Sequence, residues 1–236
     1  MQVDAHGPTL GGGNSVATVG TGSHTRRVHD FTPPPPPRPP WADDLLAEVG
    51  RAFVETGATT PGWPDPHPDR HPLEEEYSRV LDPGKYRILG TRLDAWARVL
   101  DERDVAAEER EGLRRSLVPT RPGALTLVAL TTEVDGAPYG LDLGLPDGAG
   151  GAARIDLLPD CGCDACDSGS ADLLEVLDGW VLTVARGGVV HAQGPGGSVT
   201  RMLDGWQGTG QIDERWLDGA RPPPDDVRRW AGRPWL

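Results

Sequence analysis

The chain has 236 residues, a formal charge of −13 at pH 7 and a sequence pI of about 4.8. So large an acid excess repels nucleic acid and anionic lipid, and no stretch approaches the roughly 18 successive apolar residues of a membrane span. The length suffices for one ample core, which eight tryptophans can fill quickly despite only two phenylalanines. The start lacks the charged, apolar and small-residue blocks of a secretory signal. Three cysteines crowded into six positions are not a disulfide framework, and they point to a reducing cytoplasm.

Residues 1–40 read as a disordered tail. They are rich in Gly and Pro, and Val3, Leu10, Val16, Val19, Val28 and Phe31 show no period, so the segment cannot offset the entropy of ordering. Pro33 to Pro37 with Pro39 and Pro40 read as a polyproline II spacer. Residues 41–236 are expected to form a single α+β globular domain. Trp41, Leu45, Val49, Ala52 and Phe53 recur at helical spacing, with Asp43 and Asp44 in the first turn and Gly57 beyond the last. Proline recurs too often in P-G-W-P-D-P-H-P-D-R-H-P for regular structure. His67 and His71 therefore lack the shared helical face that two metal ligands four residues apart would need.

Glu74 to Tyr77 open another helical stretch, whose adjacent carboxylates read as a solvated first turn. From Tyr86, the residues Leu89, Leu93, Trp96, Ala97 and Leu100 predict a long amphipathic helix, with Arg92, Asp94, Arg98 and Asp101 on its wet side. The charged segment Glu108 to Leu117 reads as a short helix. After Pro122-Gly123 the period changes. Ala124 to Val134 reads as a strand, Leu141, Leu143 and Leu145 alternate along a second, and Arg154 to Leu158 form a third. Short turns between them favour an antiparallel sheet. The fold class is therefore α+β, with N-terminal helices packed on a small antiparallel sheet.

The third strand leads into the chain's most distinctive stretch, D-C-G-C-D-A-C-D-S-G from Asp160 to Gly169. Beyond it, Leu173, Leu174, Leu177, Trp180, Val181 and Val184 form a helical stripe, with Asp172, Ser168 or Ser170 as cap candidates and Gly187-Gly188 as the stop. A strand from Trp180 stays open as an alternative. Val189 to Ala192 reads as a strand returning to the sheet, and Ser198 to Met202 as another. Thiolates bind zinc well, and C-x-x-C from Cys163 to Cys166 is the usual spacing for two ligands on one turn, with Cys161 as a third. A closed site needs a fourth ligand, for which His191, Asp164 and Asp167 are the candidates. Calcium fits worse, because the aspartates at 160, 164 and 167 do not follow the ligand spacing of its known loop. Redox chemistry is the third reading, which flanking carboxylates oppose by raising thiol pKa values. Plain packing of the thiols is the fourth.

The loop P-D-C-G-C-D-A-C-D-S-G, with R-P-G-A-L at Arg121 to Leu125 and W-x-L-x-V-x-x-G-G-V-V-H from Trp180 to His191, resembles an uncharacterised family of actinobacterial proteins. That family carries only a domain-of-unknown-function label. The resemblance runs from about Trp41 to Trp206, and it implies no activity, substrate or cofactor.

Toward the C-terminus, Trp216 and Leu217 are expected to cover the sheet. Arg228, Arg229 and Arg233, interleaved with Trp230 and Trp235, read as a docked helix more readily than as a nucleic-acid contact. The chain shows neither a G-x-S-x-G elbow nor a Gly-rich phosphate loop between strand and helix. The reading is a non-catalytic cytoplasmic module that binds a protein partner. The alternatives are a zinc-stabilised protein and a thiol-dependent enzyme.

Overall fold

A computed structural model describes residues 38–203, 205–220 and 222–236. The expected tail and polyproline spacer therefore lie, up to residue 37, outside the described residues. Helix α1 spans Pro40–Thr56, with proline at its first position where no N–H is needed. Helix α2 spans Ile88–Glu102 and α3 spans Ser170–Ala185. The apolar spacing anticipated all three. Leu45, Leu89, Leu93, Trp96, Leu100 and Leu177 are fully buried, and each such leucine contributes roughly 1.5–3 kcal/mol.

The first sheet has five antiparallel strands in chain order. They are β1 (Ala106–Glu111), β2 (Arg114–Pro119), β3 (Leu127–Val134), β4 (Ala137–Pro146) and β5 (Ala152–Leu158). Leu127, Ala129, Leu141, Leu143, Leu145 and Ile155 carry its buried face against the three helices. The helix expected over Glu108 to Leu117 is instead the β1–β2 hairpin. Glu111 pairs with Arg114 across a two-residue turn, and Gly112 sits there at φ +57°, a conformation that costs glycine least. The consecutive charges of β1, Glu108 to Glu111, lie on an edge strand and blunt that edge.

A second sheet holds four antiparallel strands in the order β8-β7-β6-β9. These are β6 (Val190–Gly194), β7 (Gly197–Arg201), β8 (Trp206–Gly210) and β9 (Arg228–Ala231). Val189 to Ala192 thus does not return to the first sheet, because the chain leaving α3 pairs with the C-terminal strand and with its own hairpin. The basic C-terminal stretch is strand β9 and a strap, not a docked helix. Trp235 donates from its backbone to Ala185 O at 2.7 Å and from Nε1 to Leu125 O at 2.9 Å. These bonds join the strap to α3 and to the segment before β3. Trp216 and Leu217 do pack on the second sheet, with Ala192, Val199 and Val227 beneath them.

Three local expectations fail for long-range reasons. Arg92, placed on the wet side of α2, is buried because its guanidinium grips Asp178 of α3 at 2.9 and 2.6 Å. Glu74–Ser78 is a single 3-10 turn, and Glu76 is buried among Arg70, Arg79 and His67 instead of solvated. The N-cap of α3 is Gly169 at φ +91°, not Ser168, Ser170 or Asp172. Ser170 is used otherwise, holding the backbone of Trp63 through its hydroxyl at 3.0 Å in both directions.

Candidate metal centre

Strand β5 ends at Leu158, α3 starts at Ser170, and the ten-residue crossing of Asp160 to Gly169 is fastened from both sides. Asp160 Oδ1 accepts from its neighbour's backbone, Cys161 N, at 2.7 Å. A 3-10 turn, Asp164–Cys166, closes with Cys166 N on Cys163 O at 3.1 Å. Asp164 N in turn donates to Arg79 O at 2.8 Å, which stitches the loop to the segment before α2. The tight path has steric reasons. A Cβ on Gly162 would lie 1.2 Å from the Tyr139 hydroxyl oxygen, and one on Gly169 would lie 2.6 Å from Asp65 N. Only glycine admits either neighbour.

This path brings the three sulfurs together. Cys161 and Cys163 Sγ are 3.2 Å apart, and the three Sγ atoms of Cys161, Cys163 and Cys166 all lie within 4.8 Å of one another. Cys163 is buried, whereas Cys161 and Cys166 are exposed, so the cluster has an inner and an outer side. Burial opposes ionisation of Cys163. Hydrogen bonds from the thiols of Cys161 and Cys166 and from the backbone N–H groups of Cys166 and Ala165 outweigh it, and hold its pKa below the ordinary thiol value. Cys166 goes the other way. Partial desolvation first, and then the sulfurs of Cys163 and Cys161, push its thiol up to about 12.

The fourth-ligand candidates sit elsewhere. Asp164 accepts from Arg79 Nε at 2.7 Å and from Leu81 N at 3.1 Å. Burial works to raise its pKa, and these donors hold it low. Asp167 accepts from Trp63 Nε1 at 2.9 Å, from Gly169 N at 2.9 Å and from the Lys85 ammonium. Its carboxyl is likewise kept low by Lys85 and Trp63 against burial. His191 belongs to the second sheet, fully buried, with Nδ1 2.7 Å from Thr200 Oγ1 and its ring 5.2 Å from that of Trp230. Among the described residues the cluster is therefore three thiols with no fourth His, Cys, Asp or Glu. His67, likewise outside the cluster, faces Glu76 at 3.3 Å. Arg70 first, then the Leu73 N–H, keep that carboxylate well below the usual range.

Sequence reasoning missed the wall behind the loop. Tyr86 and Tyr139 meet edge to face at 5.2 Å, and Trp63 meets Tyr86 at 5.9 Å. The Lys85 ammonium lies 5.2 Å from the ring centre of Trp63 and 5.1 Å from that of Tyr86. Burial raises the pKa of both tyrosines, reinforced at Tyr139 by Cys161 and Cys163. The one local signal was Gly162 itself, since glycine between two cysteines marks a close approach.

Zinc–thiolate bonds are about 2.3 Å, which puts sulfurs of a tetrahedral site roughly 3.8 Å apart. Three sulfurs within 4.8 Å need only small side-chain rotations to close on one ion. No helix among the described residues is long and apolar enough to cross a membrane. A family model described as "Family of unknown function (DUF6226)" matches residues 49–236, extending past Trp206 to the last residue. No curated protein and no solved structure matches the chain.

Proposed function

We infer the function of this chain from its cysteine loop, because it belongs to the family of unknown function DUF6226 and that membership names no activity. The proposal is a cytoplasmic metal-binding protein whose Cys161, Cys163 and Cys166 hold one zinc ion. The observation that supports it most is the convergence of three sulfurs from one six-residue run within 4.8 Å. A loop that merely packed its thiols would bury them, yet two of the three are exposed. Soft thiolate donors select zinc, copper(I) or iron–sulfur chemistry over calcium and magnesium, and zinc leads because it needs no redox partner. The role is structural or regulatory, since the ion would pin β5 to α3 at a junction that already anchors the segment from Trp63 to Lys85. Elemental analysis of protein expressed in zinc-replete medium and purified without chelator tests this. About one zinc per chain is expected, falling to background in Cys163→Ser. Less than about a tenth of an equivalent overturns it.

A second reading, recognition of a protein partner, draws on a different observation. Leu73, Tyr77, Val80 and Leu81 are exposed on the segment that carries Arg79, beside the loop. Capture of a specific partner by the wild type and not by Leu81→Asp supports it. Equal capture by both refutes it.

A further inference from the structure

We propose that the ion held by the cysteine loop keeps one coordination position for a ligand from outside the chain, a soft or borderline donor such as a small thiolate or an imidazole. The inference rests on the metal reading above and deepens it by assigning the site an exogenous ligand.

A closed structural zinc site takes four protein donors, whereas three protein donors leave a position for a solvent-borne group. The described residues bring three sulfurs together and no fourth His, Cys, Asp or Glu. The nearby carboxylates are engaged by other groups. Turning Asp164 toward the sulfurs would release Arg79 Nε and Leu81 N, and turning Asp167 would release Lys85, Trp63 Nε1 and Gly169 N. The Lys85 side chain is 17% exposed, so leaving its charge without a partner is costly. Asp160 is tied to Cys161 N. His191 is enclosed in the other sheet beside Thr200 and Trp230. The buried sulfur, Cys163, is the inner one, while Cys161 and Cys166 face solvent, so a small ligand reaches the ion from the outer side without any opening of the core. Tyr139, whose hydroxyl lies against Gly162 between Cys161 and Cys163, offers an oxygen donor that would have to be distinguished from an outside ligand.

The test uses the full chain loaded with cobalt(II), whose ligand-field bands report coordination and whose sulfur-to-metal charge-transfer band reports the thiolates. Imidazole, azide and 2-mercaptoethanol are titrated separately into the wild type and Tyr139→Phe. The expected result is a saturable shift of the ligand-field bands with at least one probe, with the charge-transfer band retained, in both proteins. Spectra unmoved by all three probes overturn the proposal. So does a response confined to Tyr139→Phe, which would mean that the phenol fills the position, and so does loss of the charge-transfer band on adding probe, which would mean that the ion is stripped. A charge-transfer band that never forms is a different failure, that of the metal reading itself.

Discussion

Arg79 Nε lies 2.7 Å from Asp164 Oδ2, across 85 residues of sequence, so the carboxylate next to Cys163 answers to a cation from a distant part of the chain. The same guanidinium reaches Glu76 Oε1 at 3.2 Å. The pair holds the Cys163–Cys166 turn in place without coordinating anything itself. Outer partners of this kind typically change metal affinity by 10–100-fold. Arg79→Gln should therefore weaken zinc about tenfold in competition with a chromophoric chelator, while the melting temperature of the metal-free chain barely moves, because the Arg79 side chain is 39% exposed. Unchanged affinity would assign the pair to the surface alone.

Gly162→Ala drives a methyl group into the Tyr139 ring, whose Cζ would be 2.4 Å away. Tyr139 cannot retreat freely, since Tyr86 stands against it at 5.2 Å. Overpacking of this kind costs about 1–3 kcal/mol. Urea unfolding should show that loss, and adding Tyr139→Ala in the Gly162→Ala background should recover part of it. Additive losses in the double variant would show that the two residues do not meet.

Arg92 and Asp178 join α2 to α3 with side chains 10% and 14% exposed, and Trp96 Nε1 adds a third bond to the carboxylate at 2.7 Å. Removing one member strands the other, a loss of about 3–5 kcal/mol for buried pairs. Arg92→Ala should thus destabilise strongly, and the Arg92→Leu/Asp178→Leu double variant should lose less than Arg92→Ala. Chemical denaturation decides it, and a double variant worse than the single one would contradict the account.

These pairs also mark where sequence reading stops. Leu89, Leu93, Trp96 and Leu100 declare a helix because periodic burial is a local signal, and Arg92 lies on that helix with nothing local to say that Asp178 waits for it. Glu108 to Leu117 misled for the opposite reason. Edge strand β1 keeps its charges, and those of β2 are held by ion pairs such as Arg115 with Glu108, so the hairpin's local mark was Gly112 at the turn. The cysteine cluster was legible because all three sulfurs come from one short run. The groups engaging Asp164 and Asp167 were not, since Arg79 and Lys85 arrive from 85 and 82 residues away. His191 looked like a ligand because a strand histidine that packs and one that binds metal are written alike.

His191 sets a pH dependence. Burial depresses its pKa to about 4, against roughly 6.5 in an unfolded chain. Between those values the unfolded chain takes up a proton that the folded ring refuses. This contribution is therefore complete above about pH 6.5 and is lost as pH falls toward 4, by about 1.4 kcal/mol per unit. Unfolding free energies at pH 7 and 4.5 should fall by about 2 kcal/mol more in the wild type than in His191→Gln. Equal losses would show that the ring titrates normally.

The proposed site requires three thiolates, and only three protein donors, around one zinc ion. Zinc-edge X-ray absorption on the full chain reads that shell directly. In buffer free of small thiols, three sulfurs at about 2.3 Å and one lighter nitrogen or oxygen neighbour at about 2.0 Å are expected. A shell of nitrogen and oxygen alone, or one of four sulfurs in the absence of small thiols, would overturn the three-thiolate site.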